Sequence, residues 1–180
     1  MPDPEWLDAP SSLVNPEFNY GGGGALGAGR SATITRAANT TAYAANDVVG
    51  GVIEIPVGVE AGGTFTLLGI DLLWNFGAVP SGMASFTAHL YRSTPPSAYA
   101  DNDAWDLGAG DRSVYIGPAL IGSPIDLGTT LFVSNDTLSK VMTLAVGGTS
   151  IFAYLVTAAA YTPAAVSETG RLTLRGYANA

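Results

Sequence analysis

The sequence predicts an all-β protein: an antiparallel β-sandwich, with the jelly roll as the form that suits its length and immunoglobulin-like or other Greek-key sandwiches as alternatives, preceded by an extended N-terminal arm. Three observations carry this reading. Short apolar or alternating runs follow one another between Gly, Pro and Asn/Asp turns. No window of a dozen residues shows a 3.6-residue period with charges on the opposite face. The first thirty residues are so rich in proline and glycine that neither helix nor sheet is favoured there. The chain therefore divides into an arm, 1–30, and one sandwich domain, 31–180.

The arm carries Pro2, Pro4, Pro10 and Pro16, then glycine at 21–24, 27 and 29. Its acids are Asp3, Glu5, Asp8 and Glu17, and no basic side chain occurs before Arg30. Interspersed are Trp6, Leu7, Leu13, Val14, Phe18 and Tyr20. A purely solvating tail has little use for large apolar side chains, so these six are read as a partner-binding set that docks on a neighbour or on the domain itself.

The strands are expected at 32–36, 52–57, 65–76, 85–92, 113–120, 130–133, 139–146, 151–159 and 171–177. Alternation is clearest in the fourth, where Phe86, Ala88 and Leu90 share one face and Thr87, His89 and Tyr91 the other. Residues 141–167 hold no charge and are long enough to span a bilayer. Gly147-Gly148 in the middle and Pro163 near the end favour a β-hairpin turning at the two glycines over a membrane helix. The N-terminus lacks the basic and apolar regions of a secretory signal.

Composition removes several chemistries. The 180 residues include no cysteine and one histidine, so disulfides, cysteine-based zinc sites and thiol nucleophiles are out. Fifteen acidic against seven basic side chains leave a net charge of −8, with Lys140 the sole lysine, and no basic stripe for nucleic acid. Charged residues are only 12% and hydrophobic ones 47%, which suits a surface that covers itself with neighbours rather than a disordered chain.

Four local patterns could carry chemistry. Gly22, Gly24 and Gly27 fit G-x-G-x-x-G, but a proline-rich arm precedes them and a β-rich stretch follows, so they read as a joint rather than a dinucleotide loop. Asp101, Asp103, Asp106 and Asp111 offer the oxygens a calcium ion wants, though Trp105 and Asp106 break the EF-hand pattern. The alternative is an acidic loop whose side chains bond its own backbone. His89 could act in a triad only with partners the fold brings to it, and it reads as a strand or interface histidine. Trp6, Trp74, Trp105 and eight tyrosines could form a sugar-stacking platform, although strand aromatics more often anchor a core or interface. Asn39-Thr40-Thr41 and Asn135-Asp136-Thr137 match the glycosylation sequon.

The passage from Arg36 through Asn39-Thr40-Thr41, Tyr43 and Asn46-Asp47 to Gly50 resembles a recurrent opening of tailed-bacteriophage virion proteins. Ala160-Tyr161-Thr162-Pro163-Ala164 is similar to their closing segment, and Asp101-Asn102 with Tyr115 and Gly117 to their middle. The likeness runs from about Thr33 to Leu174. It departs from the group at Ala37, where a proline commonly follows the arginine, and it leaves out the Gly-rich arm. Within the group the chain looks most like the jelly-roll capsid decoration, or cement, proteins. The resemblance implies a non-enzymatic structural protein without cofactor, on the outer capsid surface of a virion. Its partner would be the major capsid protein, with neither nucleic acid nor membrane engaged. Three-fold and quasi-three-fold sites on capsids suggest a homotrimer. A receptor- or glycan-binding module of a tail or fibre is the alternative, and a sandwich hydrolase a more remote one.

Overall fold

The computed structural model describes residues 30–166 and 168–179. Ten strands are formed: β1 (Arg30–Thr35), β2 (Val48–Pro56), β3 (Thr64–Trp74), β4 (Phe86–Tyr91), β5 (Tyr115–Leu120), β6 (Ile125–Asp126), β7 (Leu131–Asn135), β8 (Lys140–Thr143), β9 (Ser150–Thr157) and β10 (Thr169–Asn179). The first sheet has the order β1-β10-β3-β7-β6, with β8 also on β3; the second is β2-β9-β4-β5. All pairings between these strands are antiparallel.

The pairs nest. β1 lies with β10, β2 with β9, β3 with β7 and β8, and β4 with β5. Successive pairs fall on alternate sheets, which is one long antiparallel ribbon rolled up: the jelly roll. The all-β sandwich expected from the sequence is therefore the observed fold. The two-residue β6 escapes a sequence reading because it is too short to show alternation.

The nesting corrects one expectation. Gly147-Gly148 does form a turn, with Gly148 N–H donating to the Ala145 carbonyl at 2.8 Å. The strands it joins do not pair: β8 sits on β3 in the first sheet, whereas β9 lies between β2 and β4 in the second. The turn is a crossover between sheets, and no hairpin forms. The uncharged run around it is explained by β9, an interior strand covered on both faces, whose sequence SIFAYLVT is apolar almost throughout. Among the described residues no helix is long and apolar enough to cross a membrane.

The core lies between the inner faces. Phe86, Ala88 and Leu90, one face of β4 as expected, are fully buried there. Trp74 closes the same layer, stacked on Phe76 with centroids 5.2 Å apart and planes 7° from parallel. Its indole crosses the backbone at Gly170, the residue paired with it on β10, and a Cβ at that position would stand 2.5 Å from Trp74 Cε3. Glycine is required there by contact rather than by torsion.

Candidate functional site

The two outer faces of the sandwich are treated differently. The 92–114 connection between β4 and β5 folds back over the second sheet. Its backbone is stitched to the start of β2: Asn102 N–H donates to Val48 O, Val48 N–H to Asp103 O, and Trp105 N–H to Asn46 O, each at 2.8 Å. That stitching lays Trp105 on His89, ring centroids 3.5 Å apart, and lets its indole N–H donate to Tyr91 Oη at 3.2 Å. Tyr154 Oη donates to the Ser97 carbonyl at 2.5 Å and accepts from Tyr99 N–H at 3.2 Å. Val48, Tyr91, Tyr154 and Val156 thereby become a second, smaller core outside the sheet.

His89 sits in this cluster with Nδ1 2.9 Å from Tyr115 Oη, and not beside a serine or carboxylate. Burial lowers its pKa to about 4 and raises that of Tyr91 to about 12. At neutral pH the imidazole is uncharged and the phenol protonated. The cluster is therefore a neutral stacking surface, with a weak base at its centre.

The four loop aspartates do not converge. Asp101 Oδ1 accepts from Tyr43 Oη at 2.6 Å and Gly50 N–H at 2.8 Å, and its Oδ2 accepts from Ala37 N–H at 3.0 Å. Asp103 Oδ2 takes the Ala100 N–H at 2.7 Å, closing a turn. Asp106 offers its backbone carbonyl to Tyr99 Oη at 2.8 Å. Asp111, fully buried, accepts Ser97 N–H on Oδ1 at 2.9 Å. No cluster of three metal-ligating side chains occurs among the described residues. The carboxylates of Asp101, Asp103 and Asp111 organise backbone, as Asx side chains commonly do.

Asp101 belongs instead to a buried polar network that joins the three passages on which the resemblance rests. Arg36 Nε donates to Tyr43 Oη at 2.6 Å, and Arg36 Nη1 meets Glu168 Oε2 at 2.5 Å. Glu168 Oε1 accepts the backbone N–H groups of Ala164 and Ala165 at 3.1 and 3.0 Å. Tyr43 stacks on Tyr161 at 4.9 Å, and its N–H donates to the Tyr161 carbonyl at 2.9 Å. Gly50, with φ of +83°, turns its N–H to Asp101, and a Cβ there would meet Ile34 Cγ2 at 2.5 Å. The network ties the end of β1, the 36–50 segment, the roof loop and the approach to β10 into one block.

Among the described residues no segment packs over the outer face of the first sheet as the 92–114 loop does over the second. Direct cross-strand neighbours form the row Thr33, Arg171, Leu73, Phe132 and Ile125 along one end. In the middle, Arg175 is held by Asp71 at 2.9 Å and by Asp136. At the other end Tyr177, Thr66 and Val141 stand in register. Ile125, Leu127, Val141 and Tyr177 are all exposed. This face and the aromatic roof are the two candidate interaction surfaces.

No family model and no curated protein matches this chain. The arm residues Trp6, Leu7, Leu13, Val14, Phe18 and Tyr20 lie outside the described residues. Gly22, Gly24 and Gly27 lead into strand β1 and not a helix, which removes the dinucleotide-loop context. Sequence reasoning missed Glu168 as the partner of Arg36 and missed the Leu73–Phe132–Ile125 strip. The first left no local signal; the second was visible as the outward positions of strands expected at 65–76 and 130–133.

Proposed function

We propose that this protein is a non-enzymatic structural component of a phage virion that decorates the outer capsid surface and stabilises it by bridging subunits of the major capsid protein, acting as a homotrimer. One observation carries most weight: a jelly roll whose first sheet presents an apolar and charged outer face, with the junction to a long arm, Arg30, on the edge strand of that same sheet. A bridging protein needs a stiff platform and a second point of attachment. Two modest contacts on one molecule multiply, because the second forms at high effective concentration. The net charge of −8 disfavours contact with packaged DNA and fits an outer position.

Co-sedimentation with DNA-free capsids tests the reading. Saturable binding at hundreds of copies per particle, reduced by deletion of residues 1–20, is expected; absence of binding by the full chain overturns it. The partly exposed Trp105–His89–Tyr115 stack favours a second reading, a receptor- or glycan-binding module of a tail or fibre. Retention on a glycan array that is lost in Trp105→Ala would move the assignment there.

A further inference from the structure

We infer that one end of the sandwich, built by residues 37–46, 75–85 and 158–166, is the surface through which copies of this chain meet. The inference rests on the homotrimer of the reading above and on no other part of it.

The three segments lie between β1 and β2, β3 and β4, and β9 and β10, and the jelly-roll winding brings them to the same end. Tyr43 N–H donates to Tyr161 O at 2.9 Å, Asn46 N–H to Thr157 O at 2.8 Å, and Ala158 N–H to Ser85 O at 3.0 Å. Gly82, with φ of +86°, lies so close to the third segment that a Cβ there would overlap Ala160 O.

None of the residues in these segments is Asp, Glu, Lys, Arg or His. Three charged residues flank them in sequence, Arg36, Asp47 and Glu168, and all three are buried. Arg36 and Glu168 pair beneath the surface, and Asp47 Oδ2 accepts the Ala44 N–H at 2.6 Å. The buried network thus braces the loops and withdraws their charges at the same time. What it leaves outside is Ala, Thr, Asn, Ser and Gly, with Val79 and Val166 exposed among them. Charge returns only at the border, with Asp126 in 121–130 and with Asp103 and Asp106 of the roof, whose Trp105 N–H is bonded to Asn46 O.

A neutral centre inside a charged border is the anatomy of a protein interface. Charge also selects the occupant. The chain carries −8, so two copies repel one another over most of their surface, and the opposite end of the sandwich exposes Glu60 and Arg92. At the neutral end two copies approach without opposing like charges and without stripping water from any ion. Small side chains let the backbones come close, and loops already braced lose little freedom on contact. Together the three segments match the roughly 20–30 residues a side of a standard interface.

Sedimentation velocity of the full chain, over a range of concentration and salt, tests the inference. The expected species is a trimer that tightens as salt is raised, because salt screens the net repulsion and no ion pair is lost. Ala38→Glu and Ala164→Glu, at exposed positions on two of the loops, should each raise the concentration for half-assembly at least about tenfold. Val141→Glu on the first sheet and Ala109→Glu in the roof, equally exposed, should leave it within about twofold. A trimer indifferent to Ala38→Glu and Ala164→Glu, or one loosened by salt, would overturn the inference and leave the homotrimer standing. A chain that stays monomeric throughout would overturn the homotrimer itself, and the inference with it.

Discussion

Arg36 and Glu168 stand 132 positions apart in the chain and meet at 2.5 Å in a site closed to water. Around them Tyr43, Asp101 and two backbone N–H groups satisfy most of the remaining hydrogen-bonding capacity. Tyr161 Oη is the exception, buried with no partner among the described residues. A buried pair of this kind need not add much net stability, but removing one member strands the other charge.

Arg36→Ala should therefore cost about 3–5 kcal/mol in chemical denaturation, and Glu168→Ala a similar amount. The two losses should not add: the double variant is expected to be little worse than either single one, because neither charge is then left alone. Full additivity would show that the pair is not coupled.

The pH dependence of stability should carry a signature of His89. Burial lowers its folded pKa from 6.5 to about 4, so between those values the unfolded chain binds the extra proton. The stabilisation is complete above pH 6.5 and is lost as pH falls towards 4. As the single imidazole, His89 can be followed by one NMR resonance, whose midpoint should lie well below 6.5. The histidine's share is the part of the slope that disappears in His89→Gln.

Asp101 should matter to stability with or without calcium. Asp101→Asn weakens bonds from Tyr43 Oη, Gly50 N–H and Ala37 N–H, and should cost about 2 kcal/mol. Asp103→Asn, in an exposed turn, should change stability by less than about 0.5 kcal/mol. Melting temperatures in calcium and in chelator should coincide for the parent and both variants. A calcium-dependent rise in the parent would contradict the dispersed geometry of the loop.

Gly170→Ala should be costly because its methyl group would meet the Trp74 indole at 2.5 Å within a packed core; a loss of about 1–3 kcal/mol is expected. Gly77→Ala is the matched control. Among the described residues no atom lies within 4 Å of a Cβ there, and the change should fall within about 0.5 kcal/mol. Equal effects would mean that backbone entropy, not contact with Trp74, sets the need for glycine at 170.

Elements with a strong local period were legible without coordinates. The alternation of β4 identified its core face, and nine of the ten strands fell where turn residues and apolar runs put them. The period does not say what covers the other face: Tyr91 alternates outward yet is fully buried, because a loop from the same chain lies over it. Nor does a glycine turn say whether its flanking strands pair, which is why the connection at Gly147-Gly148 proved to be a crossover.

The acidic loop drew the eye for its carboxylate spacing, and its chemistry turned on direction. Asp101 faces Tyr43 and Gly50 while Asp111 faces Ser97, so nearness in sequence did not become a shared centre. Arg36, Tyr43, Asp101 and Tyr161 come from passages with no evident chemical group in common, yet they share one block in the fold.

By itself, the amino-acid order determined the class: apolar alternation and turn chemistry are local, so they specify strands, an all-β sandwich and a compositionally distinct arm. It also excluded thiol chemistry and a basic nucleic-acid surface by composition alone. Tertiary structure decided what no local rule could: which strands share a sheet, which outer face is roofed, and that Arg36 finds Glu168. Those outcomes depend on contacts between residues distant in the chain, selected by closing one core rather than by the preference of any segment.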